Sequence, residues 1–134
     1  MRTIQTALPP GSTVGILGGG QLARMLTLAA APLGIKCHIF APEADSPAFQ
    51  VSAAHTLAAY TDTEALAAFA AAVDVVTYEI ENVPAATAAF LATRVPVAPG
   101  VFALETAQDR VTEKTFIASL RRPVAQSHDP ADRQ

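Results

Sequence analysis

The sequence predicts a Rossmann-like α/β layer sandwich, in which a parallel sheet of about five strands is covered by helices on both sides. Three observations carry that expectation. Thr13 to Leu17 is a short apolar, partly β-branched run stopped by three glycines, which suits a strand buried on both faces. From Gln21 the apolar positions Leu22, Met25, Leu26 and Ala29 recur at helical spacing, with Arg24 off that stripe, so a helix begins as the glycines end. The same order of strand then helix repeats along the chain, and parallel strands joined in this way need right-handed crossovers.

The elements follow in order. Residues 1–12 close on Pro9-Pro10-Gly11-Ser12 and read as a flexible leader. After the first strand, the helix should stop near Gly34, which can take a left-handed cap, with Pro32 in its last turn. Ile35 to Phe40 is the second strand. The polar loop Ala41 to Pro47 leads through a short amphipathic turn to a weaker strand, His55 to Ala58. Thr61 followed by Glu64 matches a capping box and opens an alanine-rich helix to about Val73. Asp74 to Tyr78 is the fourth strand. Pro84 fits a first helical position, so a helix should run to about Arg94 before a short fifth strand, Val95 to Ala98. Helical pattern returns from about Phe102 to Leu120. The polar stretch 121–134 has no period and is expected to be disordered.

Composition narrows the function. The chain has 134 residues with net charge −3 and a pI near 5.5, so it offers no field for gripping a polyanion through many phosphates. Mean hydropathy is +0.30, yet the longest purely apolar run, Ala65 to Val73, is far short of the ~20 residues that span a bilayer. No secretory signal precedes Pro9, and a cytoplasmic location is expected. With Cys37 alone, neither an internal disulfide nor a thiolate metal cluster can form, and a buried thiol without a cation stays protonated. His38, His55 and His128 have no metal-ligand spacing, and no local set builds a catalytic triad.

Gly18-Gly19-Gly20-Gln21-Leu22-Ala23 fits G-x-G-x-x-A between a strand and a helix, the context in which main-chain amides and a helix end can receive a nucleotide or ribose-phosphate. A plain tight turn is the alternative, although three glycines in a row are an entropic burden for a turn alone. Gln21 adds a donor and an acceptor at the helix start. Glu79 follows the fourth strand at the edge where parallel sheets bind ligands, and its carboxylate suits paired ribose hydroxyls. Glu81 or Asn82 could instead cap the next helix. Glu43 and Asp45 stand roughly where a dinucleotide fold holds ribose, about 20 residues past the glycines, but Ala41-Pro42 delays them. Arg110 and Lys114 share a helix face that could meet phosphate, and Arg110 with Glu113 could equally form an exposed pair.

Val14 to Met25, with Pro42-Glu43, Asp45 to Ala48, Thr77 to Pro84, Ala107 to Arg110 and Glu113-Lys114, resembles the N5-carboxyaminoimidazole ribonucleotide synthetase family across roughly residues 13–118. The resemblance implies a pre-ATP-grasp domain of an ATP-grasp ligase of purine biosynthesis. Such a ligase uses ATP, Mg²⁺ and bicarbonate to carboxylate 5-aminoimidazole ribonucleotide, with carboxyphosphate as the activated form. By position, Gly19, Gly20, Gln21, Leu22 and Glu79 resemble residues at the ribonucleotide, Glu79 holding its ribose hydroxyls, and Arg110 resembles an arginine that reaches ATP. Formate-dependent glycinamide ribonucleotide transformylase shares the domain but typically reads Glu-Leu-Gly-Lys where Gln21-Leu22-Ala23-Arg24 stands here. A free-standing dinucleotide-binding module is the reading from another class.

The resemblance divides the chain into a leader (1–12), a Rossmann-like substrate-binding domain (13–100), a helix leading toward an ATP-grasp region (101–120) and the tail (121–134). Family members continue into that region, which carries most ATP and metal contacts, whereas the tail from Arg121-Arg122-Pro123 onward lacks family character. The chain is therefore expected to be truncated and inactive alone, with no catalytic or metal residue assigned and no cofactor held tightly. Its expected partner is a small ribonucleotide, not nucleic acid or membrane, and a homodimer stays open through helix surface that other domains would cover.

Overall fold

The computed structural model describes residues 7–125. Its sheet has four parallel strands in the order β3-β2-β1-β4. They are β1 (Thr13–Leu17), β2 (Lys36–Ala41), β3 (Ala54–Leu57) and β4 (Val75–Tyr78). The crossovers carry α1 (Gln21–Ala30), α2 (Thr63–Ala71) and, after β4, α3 (Ala85–Ala92), with α4 (Val101–Gln108) and α5 (Arg110–Ser119) completing the described chain. The expected α/β sandwich is present, and no helix among the described residues is long and apolar enough to cross a membrane.

Side chains alternate across the sheet and build two cores. Leu17, Phe40 and Val76 point to one face and pack with Leu66 and Phe69 of α2 and Leu91 of α3. Their neighbours Ile16 and Ile39 point to the other face and pack with Ala23 of α1 and with Ala48 of a 3₁₀ turn at Pro47–Gln50. Register follows from this alternation, since β1 meets β2 at Ile16↔Ile39 and β4 at Ile16↔Thr77. With β1 between β2 and β4, chain connections leave to opposite sides at the carboxyl ends of β1 and β4, opening a crevice there.

Several expectations need correction. The fifth strand is one parallel bridge, Val76↔Val97. Val76 N–H donates to Pro96 O at 2.8 Å and Ala98 N–H to Val76 O at 2.9 Å, but Pro96 has no amide hydrogen with which to extend the ladder back along β4. The helical stretch after Phe102 is two helices, parted at Asp109 (φ −113°, ψ 123°), whose carboxylate accepts from Thr112 N–H at 2.7 Å. A short acidic side chain that bonds its own backbone caps a new helix rather than continuing the old one, and that bond holds the Asp109 carboxyl below its ordinary value. Asp62, not Thr61, caps α2, accepting from Ala65 N–H at 3.0 Å. Pro84 is the cap of α3 rather than its first turn.

The Leu22, Met25, Leu26 stripe does mark a helix, but these residues are 45–57% exposed, while Ala23 and Thr27 make the buried contact. Small residues let α1 lie close to the sheet, and Thr27 satisfies its hydroxyl on Ala23 O at 2.8 Å. A 3₁₀ turn, Ala31–Leu33, follows α1, and Gly34 closes it with φ 70°. Of the expected leader, Gly11 N–H donates to Gly34 O at 2.7 Å and Ser12 O accepts from Lys36 N–H at 2.9 Å, so these residues are fastened to the start of β2. Of the tail, residues 126–134 lie outside the described residues.

Candidate functional site

The crevice at the carboxyl ends of β1 and β4 holds a cavity of about 290 Å³. The glycine loop forms its floor, Glu79 and Asn82 stand on the β4 side, and Glu43, Asp45 and Tyr60 stand opposite. The expected residues Gly19, Gly20 and Glu79 thus come together, and the loosely placed Glu43 and Asp45 join them. Gln21 and Leu22 begin α1 outside this lining. Leu22 faces a separate apolar groove of about 450 Å³ with Met25, Leu26 and Tyr78, one end of which reaches Glu79.

Glu79 is tied to the glycine loop. Its Oε1 accepts from Gly20 N–H at 3.1 Å and its Oε2 from Ala23 N–H at 2.6 Å. Gly20 caps α1 without a side chain of its own, so a carboxylate from another strand supplies the cap. This explains the glycines. Gly18 has φ +103°, and a Cβ there would stand 2.7 Å from Glu79 Cγ, while a Cβ on Gly20 would stand 3.0 Å from Glu79 Oε1. Gly19 is pressed against Ser46 and Ala41, with its would-be Cβ 2.9 Å from that of Ala41. The glycine loop makes room for the protein's own side chains.

That arrangement changes what the loop can do. In a dinucleotide site these amides and the helix end meet a phosphate. Here a fixed negative charge already sits on two of them, and the facing wall adds Glu43 and Asp45. A second anion at this spot would meet repulsion. Each Glu79 oxygen still has a lone pair beyond its amide bond, so the carboxylate can accept hydroxyl or amine hydrogens from the cavity side. Tyr60 complements this: burial, then the charges of Glu43 and Glu79, push its phenol up to about 12, so it stays protonated and able to donate. The chemistry suits a neutral polyol or amine.

Arg110 lies elsewhere, beside a second cavity of about 360 Å³ lined with Glu81, Gln108 and Glu113. It pairs with Glu113 at 3.0 Å in an exposed i,i+3 bridge. Neither Glu81 nor Asn82 caps α3. Cys37 is buried on β2, and burial pushes its thiol up, in keeping with a core role. Ser46 and Ile80 stand within motif segments without a stated place at the cavity, and Tyr60, outside any motif, reaches the crevice through loop geometry.

Residues 11–108 match the family model of the ribonucleotide synthetase preATP-grasp domain. The chain belongs to that family. It is 54% identical over 113 residues to the N5-carboxyaminoimidazole ribonucleotide synthase of Brucella melitensis, covering 84% of this chain and 31% of the relative. Among solved structures, it matches an ADP complex of N5-carboxyaminoimidazole ribonucleotide synthetase with TM-score 0.86 and 38% identity, over 92% of this chain and 33% of the other. It also matches the Aspergillus clavatus N5-carboxyaminoimidazole synthase in complex with ADP and 5-aminoimidazole ribonucleotide, with TM-score 0.78 and 34% identity, over 87% of this chain and 31% of the other. The chain therefore spans about a third of the length of each.

Proposed function

We propose that this preATP-grasp chain is the ribonucleotide-binding part of an ATP-dependent ligase that carboxylates 5-aminoimidazole ribonucleotide with bicarbonate in purine biosynthesis. The observation that carries the reading is the Glu79 carboxylate, fixed by two main-chain amides and still able to accept from the cavity side. In this reading residues 13–100 hold the substrate, Glu79 accepts from its ribose hydroxyls, and Gly19 and Gly20 lie beneath it. Gln21 and Leu22, which begin α1 outside the cavity lining, meet only a part of the ligand that reaches past Glu79 toward the apolar groove. The ribonucleotide's phosphate lies away from the glycine loop, where the carboxylates would repel it. In support, the Brucella relative is called an N5-carboxyaminoimidazole ribonucleotide synthase, and the Aspergillus one is described in complex with ADP and this ribonucleotide.

Arg110 is assigned to ATP, for which it must leave or share the Glu113 carboxylate. No residue of this chain is assigned to Mg²⁺. Binding rather than turnover is the activity proposed for this chain, in a cytoplasmic setting and with self-association left to sedimentation velocity.

Calorimetric titration with 5-aminoimidazole ribonucleotide tests the reading. Saturable binding is expected, abolished in Glu79→Ala and weakened in Glu79→Gln, with the fold of each variant checked by circular dichroism. A folded wild-type chain that fails to bind overturns it, as does a Glu79→Ala variant that binds equally well.

A further inference from the structure

The loop after β4 is a wall between two cavities. Ile80 and Asn82 line the cavity that holds Glu79, whereas Glu81, between them, lines the cavity that holds Arg110. The loop makes one turn at Glu81-Asn82, and helix α3 begins only at Ala85, so no ladder or helix bond holds this segment against the rest of the fold. One side chain does. Gln108 Nε2, at the last position of α4, donates to Glu81 O at 2.8 Å and to Val83 O at 2.6 Å. Those carbonyls belong to the peptides Glu81–Asn82 and Val83–Pro84, so the two bonds bracket Asn82 from before and after. From the other side Val83 is fully buried in the core, so the loop is gripped at one point from within and at two from without.

We propose that Gln108 is a positioning residue, which sets the orientation of Asn82 toward the ribonucleotide cavity and keeps the wall between the two cavities in one conformation. The proposal rests on the ribonucleotide-binding reading and adds to it a residue that lies outside the ribonucleotide cavity, in the lining of the second one. A primary carboxamide has two N–H groups, and here they satisfy two carbonyls that would otherwise turn independently. Gln108 also adjoins Asp109, where α4 gives way to α5, so a shift of the helix carrying Arg110 would be felt at Asn82 through two bonds.

The test compares the full chain with Gln108→Met, which keeps length and loses both donors, and Gln108→Lys, which restores a donor. Amide exchange is followed residue by residue, and affinity for 5-aminoimidazole ribonucleotide is measured by calorimetry. In Gln108→Met, exchange is expected to quicken within residues 80–85 while the amides of β1 and β2 keep their protection. Affinity should fall about tenfold, in line with the loss of about one net hydrogen bond, and Gln108→Lys should recover part of it. A uniform loss of protection across the sheet would mean a merely structural role and would overturn the proposal. So would unchanged exchange in residues 80–85, or unchanged affinity in Gln108→Met. Should the unaltered chain not bind the ribonucleotide, the functional reading falls, and with it the ligand side of this proposal, while the exchange comparison still decides whether Gln108 holds the loop.

Discussion

Ala23 N–H donates to Glu79 Oε2 at 2.6 Å across 56 positions of sequence, so the first turn of α1 and the end of β4 are one unit. Removing the carboxylate leaves two helix-end amides without a partner and opens space beside Gly18 and Gly20. Glu79→Ala is expected to cost roughly 1–3 kcal/mol of stability, as for hydrogen bonds to a charged group. Urea denaturation measures it, and a change under about 0.5 kcal/mol would show that the cap is not structural.

The occupied amides predict a negative result. Titration with NADH, followed by its fluorescence, should show no saturable binding, because the place of a pyrophosphate is held by Glu79. Micromolar saturation would restore the free-standing dinucleotide module.

Helix α2 tests its own cap. Asp62→Ala is expected to cost about 1 kcal/mol, whereas Thr61→Ala should stay within about 0.5 kcal/mol. Equal losses in chemical denaturation would reinstate the Thr61 capping box in place of the observed Asp62 bond to Ala65 N–H.

Tyr60 makes stability fall in alkali. Its phenol titrates near 12 in the folded chain against 10.0 ordinarily, so between those values the folded state binds the extra proton. Stability is fully present below 10.0 and declines as pH rises toward 12, through the slope of proton linkage. Tyr60→Phe should flatten that limb in denaturation series, and ultraviolet titration should show no Tyr60 ionisation near its ordinary value.

Gly15 lies in the middle of β1 under the ring of Phe69, and a Cβ there would stand 2.6 Å from Phe69 Cζ. Because that ring is buried, Gly15→Ala should cost about 1–3 kcal/mol by overpacking, read from the denaturation midpoint. Phe69→Leu in the same chain should return part of the loss, and purely additive effects would mean that the two residues do not meet.

Much of this fold was legible because short apolar runs bounded by turn residues mark parallel strands: Thr13 to Leu17 is found as expected, β2 and β4 lie within one residue of expectation, and so does the largely exposed β3, bounded by its flanking loops. Hydrophobic period found α1 but not its buried face, since Ala23 and Thr27 dock by being small rather than by being apolar. The break at Asp109 and the cap at Asp62 depend on which of several polar residues bonds the backbone, a choice decided in three dimensions. The site was half legible. Motifs brought the glycines and Glu79 together, but not the fact that they satisfy each other, and Gln108 stood in a recognisable motif without a stated task.

The two prolines around Val97-Ala98 have a consequence for the protein in a crowd. A border strand such as β4 is a template on which another chain can crystallise its own strand, the usual first step toward aggregates. Here the template is already occupied at Val76, and of the segment covering it Pro96 cannot lengthen the pairing with β4 while Pro99, on the outward side, offers a newcomer no donor. What looks like a failed fifth strand is a stopper, and it leaves β3, at the opposite border, as the side from which self-templated growth would have to start.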